Sequence, residues 1–296
     1  MSKRPALLLR RSHLYRLATS DRVERAARAF PAIERRCYTL ARRYIAGTSL
    51  EDAVAVVKDL REQGMSTSVD LFGEGVTDTT AIQAVVERYL QAASRLSALD
   101  CDAYLEVVPS HIGLDISPNF LRQRLEQIIE ALPSGSRLEV SAEESRRTER
   151  ILRVILELAR EGAPVIATLQ ANLRRSEVDA ERLADAGVSV RLVKGAYLEP
   201  PDVAHRWGDA TDLAFVRLAH TLHAAGVELS IGTHDPVIRE ALLASLEGTG
   251  VEMLLGVRPD DARELVRRGH RVRIYVPFGD RWFRYWMRRV AEAARV

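Results

Sequence analysis

From residue 66 to its C-terminus the sequence predicts an α/β fold, a parallel sheet closed into a (βα)8 TIM-type barrel. Three observations carry this. Eight short β-branched or apolar runs alternate with eight helical patterns, and glycines stand where the helices should end. The length, 296 residues, holds one such barrel of ~250 residues with a segment to spare. An open doubly wound sheet is the structural alternative, but no run is followed by G-x-G-x-x-G or by a Walker-type loop.

Taken in order, residues 1–62 read as a strand-free N-terminal helical arm and residues 63–296 as the barrel. In the arm, Pro31 and Gly47 punctuate helix formers. Ser49 with Asp52 opens a capping box, after which Ala53, Val56, Val57 and Leu60 repeat at helical spacing. The eight predicted strands are Thr67–Phe72, Tyr104–Val108, Arg137–Ser141, Pro164–Leu169, Val190–Val193, Glu228–Gly232, Val251–Leu255 and Val272–Val276. Between them run apolar stripes such as Ile82, Val85, Val86, Tyr89 and Leu90, or Ile151, Val154, Ile155 and Leu158. Gly162, Gly187, Gly226 and Gly269 mark helix ends, and Asp235-Pro236 marks a helix start.

Composition narrows the function classes. Lys+Arg 43 against Asp+Glu 41 is nearly balanced, which gives no footprint for a nucleic-acid partner. Two cysteines, Cys37 and Cys101, are too few for a disulfide framework and lack metal-ligand spacing. The start, Met1-Ser2-Lys3-Arg4-Pro5, is followed by only four apolar residues, short of the ~7–15 of an export signal. No run approaches the ~18 apolar residues of a membrane span, so the expectation is a cytoplasmic protein.

In such a barrel the chemistry gathers at the C-terminal ends of the strands. Read in order, these ends supply Asp70 to Glu74, Val108 to His111, Ser141 to Glu144, Gln170 to Asn172, Arg191 to Tyr197, Thr233 to Asp235, Glu252 and Tyr275. The set is polar, and it reads as cationic through Arg191, Lys194 and His234 together with the Arg288/Arg289 pair of the last helix. It has neither the H-x-H nor the H-E-x-x-H of a metal hydrolase, nor a G-x-S-x-G nucleophile elbow, and His220 and His223 fall on a solvated helix face. A cationic rim with glycines at 195 and 232 suits a phosphate-bearing cofactor and an anionic substrate. On the last helix Tyr285, Arg288, Arg289 and Glu292 fall at i, i+3, i+4 and i+7 and share one face. Alone that stretch reads as a solvated helix; with this rim it reads as a receptor for a small carboxylate.

The residues that carry these features resemble the motifs of the proline dehydrogenase family. Arg191-Leu192-Val193-Lys194-Gly195-Ala196-Tyr197, Thr233-His234, Arg273-Ile274-Tyr275-Val276-Pro277 and Tyr285-x-x-Arg288-Arg289-x-x-Glu292 occur in the family's order and spacing. Tyr44 to Gly47, Gly113-Leu114, Ala142 to Glu144, Gln170-Ala171 and Gly256 to Arg258 add weaker matches, and the resemblance spans roughly residues 40–293. It implies a distorted (βα)8 barrel that holds FAD, with the last helix over the barrel mouth. It implies that Arg288 and Arg289 grip the substrate carboxylate, that Tyr285 and Tyr275 wall the ring, and that Arg191 sits beside the reactive flavin edge. Gln170, Val193, Lys194, Gly195, Ala196, Tyr197, Thr233, His234 and Asp235 would contact the cofactor, with Ala142 nearby and Glu292 bracing the arginine pair at its edge. The implied reaction is oxidation of L-proline to 1-pyrroline-5-carboxylate by hydride transfer, with electrons passed to a quinone. A membrane quinone would favour peripheral contact of the basic N-terminal helices with the inner membrane face.

Two positions in the expected pocket depart from the family pattern. Where the family's strand-2 motif is V-K-L-S/T, this chain has Val107-Val108-Pro109-Ser110, and where strand 3 ends D-A-E-E it has Ser141-Ala142-Glu143-Glu144. Val108 and Ser141 thus occupy substrate-facing positions of a cation and an anion, lost together so that net pocket charge is kept. Asn172 also stands where an aromatic is usual, and Leu198 where tryptophan is common. Two alternatives follow: a dehydrogenase of a different or modified cyclic amino acid, or a catalytically silent flavin- or ligand-binding relative.

Overall fold

The computed structural model describes residues 21–99 and 102–293. The basic start of the chain, the first 20 residues of the expected arm and Cys101 lie outside them.

Among the described residues three helices precede the barrel: α1 (Asp21–Arg28), α2 (Pro31–Ala41) and α3 (Leu50–Glu62). α3 starts at the expected capping box: Ser49 Oγ accepts from Asp52 N, and Asp52 reaches back to Ser49 N. It then packs across β1 (Ser66–Leu71) and the eighth strand. Tyr44 to Gly47 runs alongside that strand too, where Ala46 N donates to Pro277 O at 2.9 Å and Gly279 N to Gly47 O at 3.0 Å.

From β1 the chain alternates through α4 (Thr79–Ser97), β2 (Ala103–Val107), α5 (Pro118–Glu130), β3 (Leu138–Val140), α6 (Ser145–Arg160), β4 (Val165–Gln170), α7 (Ser176–Asp185) and β5 (Ser189–Val193). It continues through α8 (Asp209–Ala224), β6 (Leu229–Gly232), α9 (Pro236–Ser245), β7 (Gly250–Leu254), α10 (Pro259–Arg267), β8 (Val272–Phe278) and α11 (Trp282–Ala293). The strands form a closed, wholly parallel barrel in chain order, with β8 pairing back to β1. Each predicted strand is present, with ends that coincide with the expected ones or lie within two residues of them. The four helix-ending glycines all have positive φ, from 66° to 84°. Asp235 caps α9 by accepting from Val237 N and Ile238 N.

Strand alternation sorts the side chains. Val69, Leu105, Leu138, Val140, Ala167, Leu192, Ile231, Val251 and Ile274 are buried in the apolar cluster that joins strands to surrounding helices. The residues between them are polar: Ser68, Asp70, Glu106, Glu139, Thr168, Arg191, Ser230, Glu252 and Tyr275. Arg191 of β5 touches residues of β2, β3 and β7, strands that are not its neighbours, so these side chains meet inside the barrel. A second aromatic cluster sits above the strands, where Trp282, Phe283, Tyr285 and Trp286 of α11 pack with Ala41, Ile45 and Phe72.

Candidate active site

The centre of the barrel is one guanidinium among acids. Register places Asp70 beside Glu106, and Glu106 beside Glu139, on β1, β2 and β3. Arg191 Nη1 donates to Glu106 Oε2 at 2.8 Å and Nη2 to Oε1 at 2.5 Å. Its Nε lies 2.7 Å from Glu139 Oε1, and Nη1 lies 3.6 Å from Glu252 Oε2. Thr168 Oγ1 accepts from the same arginine at 3.1 Å. Four carboxylates around one cation cannot all ionise cheaply in a dry interior. Accordingly, burial and then the charge of Glu106 push the Asp70 carboxyl up to about 7. Burial also holds Glu139 well above the usual carboxylate range, against the pull of Arg191. Burial pulls the Arg191 guanidinium down, but the surrounding acids more than offset this and raise it.

The rim is built by the strand ends. Tyr275 OH donates to Asp70 Oδ2 at 2.5 Å, and its ring lies 5.8 Å from that of Tyr285 on α11. Tyr285 meets Phe72 at 5.2 Å on its other side. α11 thereby brings its receptor face over the mouth. Arg289 stacks on the Tyr285 ring at 4.9 Å and donates to Glu292 Oε1 at 3.0 Å. Arg288 faces the loop after β1, with Nη1 3.9 Å from Glu74 Oε2. Burial and then the nearby charge of Arg289 pull the His234 imidazole down to about 3. Its Nε2 accepts from Leu254 N at 3.0 Å, which leaves the ring proton on Nδ1.

The remaining predicted residues line the β4–β6 side. Lys194 Nζ pairs with Asp212 at 2.6 Å and with Asp235 at 3.3 Å. Gly195 has φ +101°, and a Cβ there would lie 2.0 Å from Asn172 Oδ1, so only glycine fits flush against that amide. Gln170 Nε2 donates to Glu143 O at 2.8 Å, and Thr233 Oγ1 accepts from Asp235 N at 3.2 Å. Val193, Ala196 and Ala142 are small or half-buried neighbours in these loops. Burial raises the Tyr197 phenol well above its usual value, and the charge of Arg288 opposes this. Val108 is half-buried where the chain leaves β2. The hydroxyl of Ser141 points into the barrel and donates to Glu106.

Sequence reasoning misses Glu106 and Glu139 and the contact between Asp70 and Tyr275, and it reaches Glu252 only as a strand end. Their signal was available in the period-2 alternation, as in Ser66-Thr67-Ser68-Val69-Asp70-Leu71, where polar residues recur at inward positions. Glu143 is a further buried acid at the mouth, pushed up to about 7 by burial although Ser110 donates to it from both N and Oγ. Among the described residues no group of three or more His, Cys, Asp or Glu is placed to hold a metal ion.

The chain is 32% identical over 260 residues to proline dehydrogenase 1 of Bacillus subtilis subsp. natto, covering 85% of this chain and 86% of that one. It is 30% identical over 299 residues to a proline dehydrogenase of Deinococcus radiodurans, with 95% of each chain covered. Among solved structures, proline utilization A from Bdellovibrio bacteriovorus, inactivated by N-propargylglycine, superposes with a TM-score of 0.80 at 21% identity. That match covers 98% of this chain but 37% of the other, so this chain spans about a third of its length and shares with it a fold. The family model for proline dehydrogenase matches residues 53–295, from α3 through the arginine-bearing α11, and the chain belongs to the proline dehydrogenase family.

Proposed function

We propose that this protein is an FAD-dependent proline dehydrogenase that oxidises L-proline to 1-pyrroline-5-carboxylate. The observation that carries the reading is the stack of Arg289 on Tyr285 beside Tyr275, an anion receptor walled by aromatic rings above a buried arginine. Family membership, with about a third of residues identical to named proline dehydrogenases, supports it.

The residues present fit a flavin. Asn172 Oδ1, Tyr285 OH and Arg289 Nε are buried without a hydrogen-bond partner, an acceptor and donors that a ligand would satisfy. Gly195 offers backbone where a Cβ would collide. Gln170, Lys194, Gly195, Ala196, Thr233 and His234 would hold the cofactor from the β4–β6 side, with Val193, Tyr197, Asp235 and Ala142 adjoining. When bound, FAD would supply the hydride acceptor, with a quinone as the acceptor of its electrons.

The chain's own residues do the rest. Arg288 and Arg289 bind the substrate carboxylate, the second through a planar fork already oriented by Glu292 and Tyr285. Tyr275, fixed by Asp70, and Tyr285 wall the pyrrolidine and exclude water. Arg191 provides positive charge beneath the mouth, where negative charge arriving with hydride is stabilised. Phe30, Ile33 and Leu40 are 60%, 48% and 58% exposed on and beside α2, among Arg25, Arg35, Arg36 and Arg42. That surface supports peripheral contact with an anionic membrane, the source of quinone; flotation with anionic liposomes should carry the protein upward.

The deciding experiment is to purify the protein, record its visible spectrum, and add L-proline without oxygen. Bleaching of the flavin band is expected. A yellow protein that stays oxidised would overturn proline as substrate, and a colourless one that does not take up FAD would overturn the enzyme reading.

A further inference from the structure

The outer fork of Arg191 is gripped across both terminal nitrogens by one carboxylate, two strands beyond its nearest neighbour on that side, while Thr168 Oγ1 accepts from Nη2 at 3.1 Å. Glu106 on β2 accepts from Nη1 at 2.8 Å and from Nη2 at 2.5 Å, an end-on bidentate pair that fixes the plane of the guanidinium. The other acids in the barrel do not present this geometry. Glu139 meets only Nε, at 2.7 Å, and Glu252 stands 3.6 Å from Nη1. An arginine held at Nε alone can still pivot; one held across both terminal nitrogens cannot.

Glu106 is itself held. Ser68 Oγ donates to its Oε2 at 2.9 Å, and Ser141 Oγ donates to its Oε1. Four hydrogen bonds therefore saturate a carboxylate that is 2% exposed. The end of β3 contributes a hydroxyl here and no charge: Ser141 orients an acid that β2 supplies. Position 106 lies two residues before Val108 on the same inward row, one layer deeper in the barrel.

We propose that Glu106 is the positioning residue for Arg191, fixing the guanidinium through its fork beneath the barrel mouth, with Ser68 and Ser141 fixing Glu106. The inference rests on the proline dehydrogenase reading for its kinetic consequence, but its geometric content stands apart from it. Arg191 acts on the reacting groups and Glu106 acts through Arg191. Loss of the fork should therefore slow turnover without weakening the grip on the substrate carboxylate, which belongs to α11.

The test is Glu106→Gln in the flavin-loaded protein, with Glu106→Asp beside it. Glutamine keeps the size but leaves one acceptor oxygen where two stood, setting its amide N–H2 against one serine hydroxyl and one arm of the arginine fork. We expect kcat per bound flavin to fall about tenfold to a hundredfold, while KM for L-proline stays within about threefold. Aspartate, with the charge on a shorter arm, should recover part of kcat. Side-chain 15N–1H spectra of arginine-labelled protein give a readout independent of turnover. Arg191, assigned by the resonances lost in Arg191→Lys, should show separate, slowly rotating terminal nitrogens in wild type and averaged ones in Glu106→Gln. If glutamine prevents folding, the aspartate variant carries both measurements, with intermediate kcat and partial averaging expected. Wild-type kcat in the variants, a change confined to KM, or unaltered Arg191 resonances would each overturn the proposal. A wild-type protein whose flavin L-proline does not reduce sinks the functional reading instead, and the nitrogen spectra then decide this inference alone.

Discussion

Tyr275 donates its hydroxyl hydrogen to Asp70 at 2.5 Å, joining the last barrel strand to the first directly below the Tyr275–Tyr285 contact. Asp70 is buried and its carboxyl is raised to about 7, from burial first and Glu106 second. The unfolded chain releases this proton near pH 4 and the folded chain keeps it until about 7. The proton thus contributes stability that is full below about pH 4 and is lost as pH rises through 7. Asp70→Asn, which can still accept from Tyr275, removes the titration. Wild type should therefore lose ground to the variant by at most about 1.4 kcal/mol per pH unit between pH 4 and 7. Urea unfolding of both proteins at pH 5 and pH 7.5 checks this; a constant difference would count against a protonated Asp70.

Arg289 combines stacking on Tyr285 at 4.9 Å, a bond to Glu292 and a buried Nε without a partner. Lysine at this position keeps the charge but loses the fork and the planar stack. One charge-assisted hydrogen bond is worth about 1.5–3 kcal/mol, so Arg289→Lys should raise KM for L-proline by about tenfold to a hundredfold. Bound flavin and thermal midpoint should stay near wild type. Steady-state kinetics at saturating acceptor decide it: an unchanged KM would remove Arg289 from the carboxylate site.

The barrel itself was legible because each strand is a short β-branched run and each helix carries a 3.6-residue stripe, two periods that do not imitate one another. Local chemistry was equally plain at Ser49 and Asp235, whose caps depend on residues two or three positions away. The rim and the α11 receptor face could be read from strand ends and helix spacing. The acids around Arg191 could not be joined from sequence, since Glu106 and Arg191 are separated by 85 positions and meet only through barrel closure. Ser141 shows the same limit. Its type suggested a vacant substrate contact, whereas its hydroxyl is spent on Glu106, a partner that the pairing of β2 with β3 brings alongside.

Val108 stands half-buried at the end of β2, where the family motif carries lysine. Restoring the cation adds a donor for the substrate carboxylate, worth about 1.5–3 kcal/mol when charge-assisted. Val108→Lys is expected to lower KM for L-proline by about tenfold, with a smaller effect on kcat. Titration of proline against flavin bleaching measures it. A KM that stays level or rises would place the carboxylate away from β2 and leave its recognition to α11.

His234 is a neutral acceptor at Nε2, where Leu254 N donates at 3.0 Å, and its imidazole is pulled down to about 3 by burial first and Arg289 second. The unfolded chain takes up a proton near pH 6.5, whereas the folded chain does not until about 3. The stability tied to the neutral ring is thus complete above pH 6.5 and is lost as pH falls from there toward 3. Glutamine can accept from Leu254 N through its carbonyl and does not titrate. His234→Gln should gain on wild type as pH falls below 6.5, by at most about 1.4 kcal/mol per unit and less because the ring is only partly buried. Denaturant unfolding at pH 7.5, 6 and 5 tests this. Parallel curves for the two proteins would mean that His234 protonates in the folded state as readily as in the unfolded chain, so that its Nε2 is not held as the acceptor for Leu254 N.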